Sequence, residues 1–195
     1  MSRKKQRVRY ELDSGDIRSL TIQEIKAILR AADELIATGG RSMLAKILKG
    51  SKDKKVLEHG LDQCPVYGYY RELTLQEITH RIDWMIKKGY LEIEYTDRLP
   101  MLVFSKIGWE IERETYAEEL LRTFERLLEG RDYSFVQELK DRNRGMIILF
   151  LDKIKQTGNA RYIPILKFWK EIEYKKVQAE IQRVIDYLLK EGKIF

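Results

Sequence analysis

Residues Thr74–Ser105 read TLQEITHRIDWMIKKGYLEIEYTDRLPMLVFS. Thr74 and Glu77 have the spacing of a capping box, in which a hydroxyl and a carboxylate satisfy the orphan N–H groups at a helix start. Ile78, Ile82, Met85 and Ile86 then recur at a 3.6-residue period, and Gly89 supplies the stop. Tyr90–Tyr95 (YLEIEY) alternates and is rich in strand formers, Thr96–Pro100 (TDRLP) has turn chemistry, and Met101–Ser105 (MLVFS) returns as a second strand. The stretch predicts a capped helix followed by a β-hairpin whose loop, residues 96–100, is longer than a tight turn.

Upstream, Thr21-Ile-Gln-Glu24 repeats the capping box, and Ile22, Ile25, Leu29, Ala32, Leu35 and Ile36 follow at helical spacing up to Gly39-Gly40. A second helix is expected over 41–49, with Met43, Leu44, Ile47 and Leu48 inward and Gly50 as its stop, and a short third over 51–59. Residues 60–73, with Pro65, two glycines and three tyrosines, suit an ordered loop or short strand. Helix, helix, capped helix and hairpin is the order of a winged helix-turn-helix.

Downstream, residues 106–129 predict a long acidic helix carrying Trp109, Tyr116, Leu120, Leu121, Phe124 and Leu128, closed by Gly130. Apolar stripes at 135–139, 146–154, 163–172 and 177–189 then describe a second small helical domain. The expected fold is mainly α with a small β-hairpin: a basic flexible arm over 1–18, a winged-helix domain over 19–130 and a helical C-terminal domain over 131–195. Arg81–Gly89 (RIDWMIKKG) and Arg183–Gly192 (RVIDYLLKEG) echo one another, which makes the tail a candidate for a degenerate helix-turn-helix.

The 195 residues carry 37 Lys+Arg against 31 Asp+Glu, a net charge of +6. Residues 1–60 hold 14 of the basic and 8 of the acidic residues, so the whole surplus lies there. A localised basic excess is the footprint of a polyanion partner, because neutralised phosphates release counterions. The single cysteine, Cys64, cannot form an intrachain disulfide, and with two histidines it cannot complete a Cys-rich zinc site. No GxxxxGK[ST], GxGxxG or GxSxG pattern occurs. Cys64 beside Pro65 reads as a buried thiol, and His80 has no ligand partner at i,i+4 spacing. Neither enzyme chemistry nor a cofactor or metal is therefore expected. With no apolar run of ~20 residues and no signal-peptide pattern, the expectation is a cytoplasmic, nucleoid-associated protein without a membrane partner.

Gly39–Tyr69 (GGRSMLAKILKGSKDKKVLEHGLDQCPVYGY) resembles the RQC domain, the winged helix that follows the zinc module of RecQ-family DNA helicases. The matching pattern is a glycine before the second helix, the run Ile47-Leu48-Lys49-Gly50-Ser51, a polar-basic helix and the pair Tyr67-Gly68. Met85–Leu91 and Leu102–Gly108 (LVFSKIG) match the family's helix end, wing and exit. The resemblance spans roughly 19–114. The helicase motor and four-cysteine zinc site have no counterpart here, so the chain resembles a stand-alone, minor RQC-type protein.

The resemblance implies DNA as partner. Carried onto this sequence, it makes Arg41, Lys46, Lys49, Ser51, Lys52, Lys54 and Lys55 contacts to the duplex backbone, with Thr79 and His80 as further backbone candidates. Tyr95, Arg98 and Leu99 become the wing residues that meet a terminal base pair, with Arg98 or Leu99 at the tip where the family often has an aromatic. Lys49-Gly50-Ser51 also makes sense as an anion site, since glycine permits close approach and Ser51 offers a hydroxyl.

The expected function is non-enzymatic DNA binding, largely independent of sequence and selective for duplex ends, forks or junctions, in repair, replication or recombination. One alternative is a sequence-specific winged-helix regulator reading the major groove with residues 74–88 through His80, Arg81, Trp84, Lys87 and Lys88. Another is a protein- or RNA-binding adaptor that docks a separate helicase through the C-terminal domain, with its basic residues Lys140, Arg142 and Arg144 and its aromatics Tyr162, Phe168, Trp169 and Tyr174.

Overall fold

The computed structural model describes residues 11–96, 99–130, 133–140 and 142–191. They form two compact units, one ending at Glu112 and the other beginning at Arg113.

In the first unit, α1 (Ile22–Asp33) starts at Thr21, whose hydroxyl accepts from Glu24 N at 3.2 Å while the Glu24 carboxylate accepts from Thr21 N at 2.9 Å. Thr74 and Glu77 repeat the arrangement at the start of α4 (Leu75–Lys87). Between them lie α2 (Arg41–Lys49), α3 (Lys54–Glu58) and a 3-10 turn at Leu61–Gln63. The expected third helix is shorter than 51–59 because Asp53 caps it, its carboxylate accepting from Lys55 N at 3.0 Å. Residues 64–73 form turns rather than a strand. Ile28, Leu29, Leu44, Ile47, Leu48, Ile78, Ile82 and Met85 are fully buried in one core, each apolar side chain contributing ~1.5–3 kcal/mol over its exposed state.

The wing is an antiparallel pair, β1 (Leu91–Thr96) with β2 (Leu99–Phe104), in which Leu91 faces Phe104 and Thr96 faces Leu99. The connection is therefore residues 97–98, shorter than the expected 96–100. Pro100 lies inside β2 opposite Tyr95. Leu102 N donates away from β1, to Gly39 O at 2.9 Å, and a residue two positions earlier points its nitrogen the same way. Proline at 100 thus costs no bond between the two strands. Leu91 and Leu102, both buried, tie the wing to the core.

The expected flexible arm is corrected in its second half. Asp13 N donates to Asp83 Oδ2 at 2.9 Å, Trp84 Nε1 donates to Arg18 O at 3.3 Å, Lys87 Nζ lies 3.3 Å from Ser14 Oγ, and Ile17 packs against the core. Residues 13–18 are a strap along α4. The basic residues of positions 1–10 lie outside the described residues.

α5 (Lys106–Gly130) opens at Ser105, whose Oγ accepts from Gly108 N and donates to Tyr90 O at 3.1 Å. A Cβ on Gly108 would fall 2.0 Å from Tyr90 O, so only glycine fits this turn. Packing divides the chain inside α5, whereas the sequence pointed to Gly130 as the boundary. The reason lies in α5's own apolar positions: Tyr116, Leu120 and Phe124 are buried in the second unit, where the Phe124 ring meets Phe150 at 4.7 Å and Trp169 at 5.8 Å. That unit adds a 3-10 segment at Ser134–Leu139, α6 (Arg144–Thr157), α7 (Ile163–Ile172) and α8 (Lys175–Glu191). The echo between 81–89 and 183–192 falls on two amphipathic helices, α4 and α8; Gly192 lies outside the described residues. Among them, too, no helix is long and apolar enough to cross a membrane.

Candidate nucleic-acid interface

The turn after α2 is built by glycine. Gly50 has φ +73, its N–H donates to Ile47 O, and Ser51 N donates to Lys46 O, the paired bonds of a Schellman stop. A second segment docks on this end of the helix: Gly68 N donates to Ile47 O at 2.9 Å, Tyr70 N to Leu48 O at 2.8 Å, and the Tyr67 hydroxyl to Ser51 O at 3.0 Å. A Cβ on Gly50 would sit 3.0 Å from Gly68 Cα. The Lys49-Gly50-Ser51 run and the Tyr67-Gly68 pair, separated in sequence, are one backbone-to-backbone contact.

The turn and the start of α3 project three cations, Lys52 from the turn and Lys54 and Lys55 from the helix. Lys52 and Lys55 are exposed and, among the described residues, form no ion pair; Lys54 is 87% exposed and only loosely paired with Glu58 at 3.5 Å. Lys46 is held at 2.8 Å by Asp53, and that bond, with Lys55 N, keeps the Asp53 carboxyl below its ordinary value. Lys49 Nζ donates to Arg71 O at 2.5 Å, and the Ser51 hydroxyl accepts from Asp53 N at 3.2 Å. Arg71, which sequence reading passed over, is exposed beside this turn; only the docking of residues 67–71 on α2 brings it there.

The remaining sequence candidates fare differently. Arg41 is turned inward: its guanidinium Nη1 lies 2.5–2.6 Å from both oxygens of Asp83, which is 2% exposed, so the residue joins α2 to α4 instead of presenting its charge. The Thr79 hydroxyl donates to Leu75 O at 2.7 Å, and His80 Nε2 lies 3.3 Å from the Asp13 carboxylate. Arg81 lies 3.5 Å from Glu24, and Trp84, 7% exposed, stacks on Tyr90. The face of α4 that a groove-reading helix would offer is thus largely occupied by the strap and by carboxylates. In the wing, Tyr95 is half-buried and Leu99 is 61% exposed; Arg98 lies outside the described residues.

One concave surface gathers what the sequence kept apart. A cavity of about 780 Å³ is lined by Lys46, Lys55 and His59 from the α2–α3 side and by Leu99, Pro100 and Met101 from β2. Its lining thus joins two lysines to an apolar strand end, together with Leu35, Met43 and one carboxylate, Glu34. Among the described residues no cluster of acidic, His or Cys side chains could hold a metal ion.

Comparison with known proteins matches residues 20–125, most of the first unit and the start of the second, to the RQC domain family model. The chain belongs to the RQC domain family. Its α2–α3 turn, wing and Ser105–Gly108 exit lie within the matched span, whereas α6–α8 lie beyond it. It is also 30% identical over 86 residues to an ATP-dependent DNA helicase RecQ of Bacillus subtilis (strain 168), covering 44% of this chain and 14% of that helicase. This RQC chain therefore spans about a seventh of that relative's length. No solved structure matches. The RQC domain is a DNA-binding rather than a catalytic domain, in keeping with the exposed cations of α3.

Proposed function

We infer that this RQC protein binds DNA without sequence preference, gripping the duplex backbone with the α2–α3 turn and meeting a duplex end or fork with its wing, in the service of repair, replication or recombination. The observation that carries the reading is the contrast in commitment of charge: Lys52, Lys54 and Lys55 face solvent, while Arg41, His80 and Arg81 are paired with carboxylates. Exposed cations at the start of a helix suit phosphates, which position a protein but carry no sequence information. A sequence-specific regulator would need the outer face of α4, and the strap along it counts against that alternative.

Selectivity for ends or forks is supported by the cavity between α3 and β2. A duplex terminus can lay its last phosphates against Lys55 and its last base pair against Leu99, which is 61% exposed at the start of β2 and lines the same cavity. The test is an anisotropy competition among blunt duplex, forked duplex and closed duplex circle at several salt concentrations, with wild type and Leu99→Ser. Preference for ends or forks that Leu99→Ser abolishes supports the reading; equal affinity for circle and blunt duplex removes the end-binding part of it.

A further inference from the structure

The second unit carries a basic cavity that the RQC match does not reach. About 520 Å³ in volume, it is lined by Lys140, Arg142, Arg144, Lys175 and Lys176 together with Tyr174. That is five cations around a space within the ~300–1,000 Å³ of ligand-sized sites. The one carboxylate in the lining, Glu173, is occupied: its Oε1 accepts from Trp169 Nε1 at 2.9 Å and its Oε2 from Tyr174 N at 3.1 Å. Among the described residues none of the five cations forms an ion pair with a carboxylate; Arg142 instead lies over the Tyr116 ring at 5.3 Å and Lys140 over Tyr174 at 5.5 Å. Five like charges around a single carboxylate repel one another, and an anion relieves that cost.

We propose that this cavity is a single-stranded nucleic-acid site, with backbone phosphates held by Arg142, Arg144, Lys175 and Lys176 and a base stacked on Tyr174. Three features select that occupant. The cavity is concave and of nucleotide size, which suits an unpaired nucleotide better than the rigid width of a duplex. Tyr174 is 59% exposed at its rim, and a flat aromatic beside a cationic groove is how unpaired bases are held without regard to sequence. The first turns of α6 and α8 supply Arg144, Lys175 and Lys176, so the positive ends of two helix dipoles add to the side-chain charges. Of the unit's aromatics, Tyr162 and Trp169 are buried in its core and Phe168 and Tyr187 are exposed elsewhere, whereas Tyr174 is exposed and lines the cavity.

This inference does not rest on the winged-helix reading, and one experiment on the full chain separates them. Binding of a labelled thymidine oligonucleotide and of a blunt duplex is measured across a salt series. The Lys175→Gln/Lys176→Gln variant should lower the salt slope for the oligonucleotide by roughly 1.4, two single-strand phosphates' worth, and leave the slope for the duplex unchanged. Tyr174→Ala should weaken the oligonucleotide about tenfold with no change of slope. Its backbone carbonyl still accepts from Val177 N and Gln178 N, so α8 keeps its start, and an unchanged thermal midpoint checks this. Unaltered oligonucleotide binding in both variants overturns the proposal. So does competition by inorganic phosphate or thymidine monophosphate as effective, per phosphate, as that by the oligonucleotide, which marks a small-anion site. Loss of duplex binding in Lys52→Glu/Lys54→Glu/Lys55→Glu, with oligonucleotide binding retained, reports on the wing unit alone.

Discussion

The α2–α3 turn and the outer face of α4 are equally rich in basic side chains, yet the fold treats them in opposite ways. On α4, His80 meets Asp13, Arg81 meets Glu24, Lys87 meets Ser14 and Lys88 lies 5.9 Å from the Trp84 ring. At the α2–α3 turn, Lys52 and Lys55 form no ion pair among the described residues, and the Lys54–Glu58 pair is exposed, where such pairs contribute ~0–1 kcal/mol. Charge that is already spent on the protein itself is not available to a phosphate. In this winged helix α4 is held as a structural element, and the α2–α3 turn is left open.

The comparison breaks most visibly at Asp83, which holds Arg41 and the strap's Asp13 N together. Asp83→Ala removes the carboxylate from a largely buried guanidinium and should cost ~3–5 kcal/mol. Urea denaturation checks it, and a change below ~1 kcal/mol would mean that the strap and α2 are held by other contacts. Next in size, Thr74→Ala removes the cap that starts α4 and should cost ~1 kcal/mol, while DNA affinity measured well below the melting temperature stays at the wild-type value.

Acidification sharpens the same contrast. Burial alone would raise the Glu24 carboxyl, but hydrogen bonds from Thr21 N, Thr21 Oγ and the Tyr70 hydroxyl outweigh it and hold it below its ordinary value. The native state then binds fewer protons than the unfolded chain. Its contribution is complete above the ordinary glutamate pKa and is lost as pH falls through the lowered native value. Denaturation midpoints between roughly pH 5 and pH 2 should fall less steeply in Glu24→Gln than in wild type. The smallest effect is expected at Lys87→Gln/Lys88→Gln, which should change duplex affinity by less than about twofold if α4 stands aside from the DNA.

Much of this was legible in the sequence, where its signals are local. Both capping boxes, the glycine stop at Gly50 and the strand patterns of 90–95 and 101–105 report on neighbours within a few residues; the helices started and stopped where those signals stood, and β2 began two residues earlier, at Leu99. The RQC resemblance likewise rested on short runs whose contact, Gly50 against Gly68, the fold explains. What the sequence did not carry was long-range commitment. Nothing in Arg41 itself reveals that its partner lies 42 positions on, and the basic run at the start hid the fact that Asp13–Arg18 belongs to the core unit. Pro100 suggested a loop because its harmless position depends on which edge of β2 its nitrogen faces, and Leu102 decides that. Arg71 escaped notice for the same reason, since a turn 20 residues downstream is adjacent only once it docks.

The central claim, that phosphates are met by the α2–α3 turn and not by α4, is tested most directly by the salt dependence of blunt-duplex affinity. It is measured in wild type, Lys52→Gln/Lys54→Gln/Lys55→Gln and Lys87→Gln/Lys88→Gln. The slope of log affinity against log salt should fall by roughly 2.7 in the α3 variant, three duplex phosphates' worth, and stay at the wild-type value in the α4 variant. A slope that falls in the α4 variant and holds in the α3 variant would contradict the account.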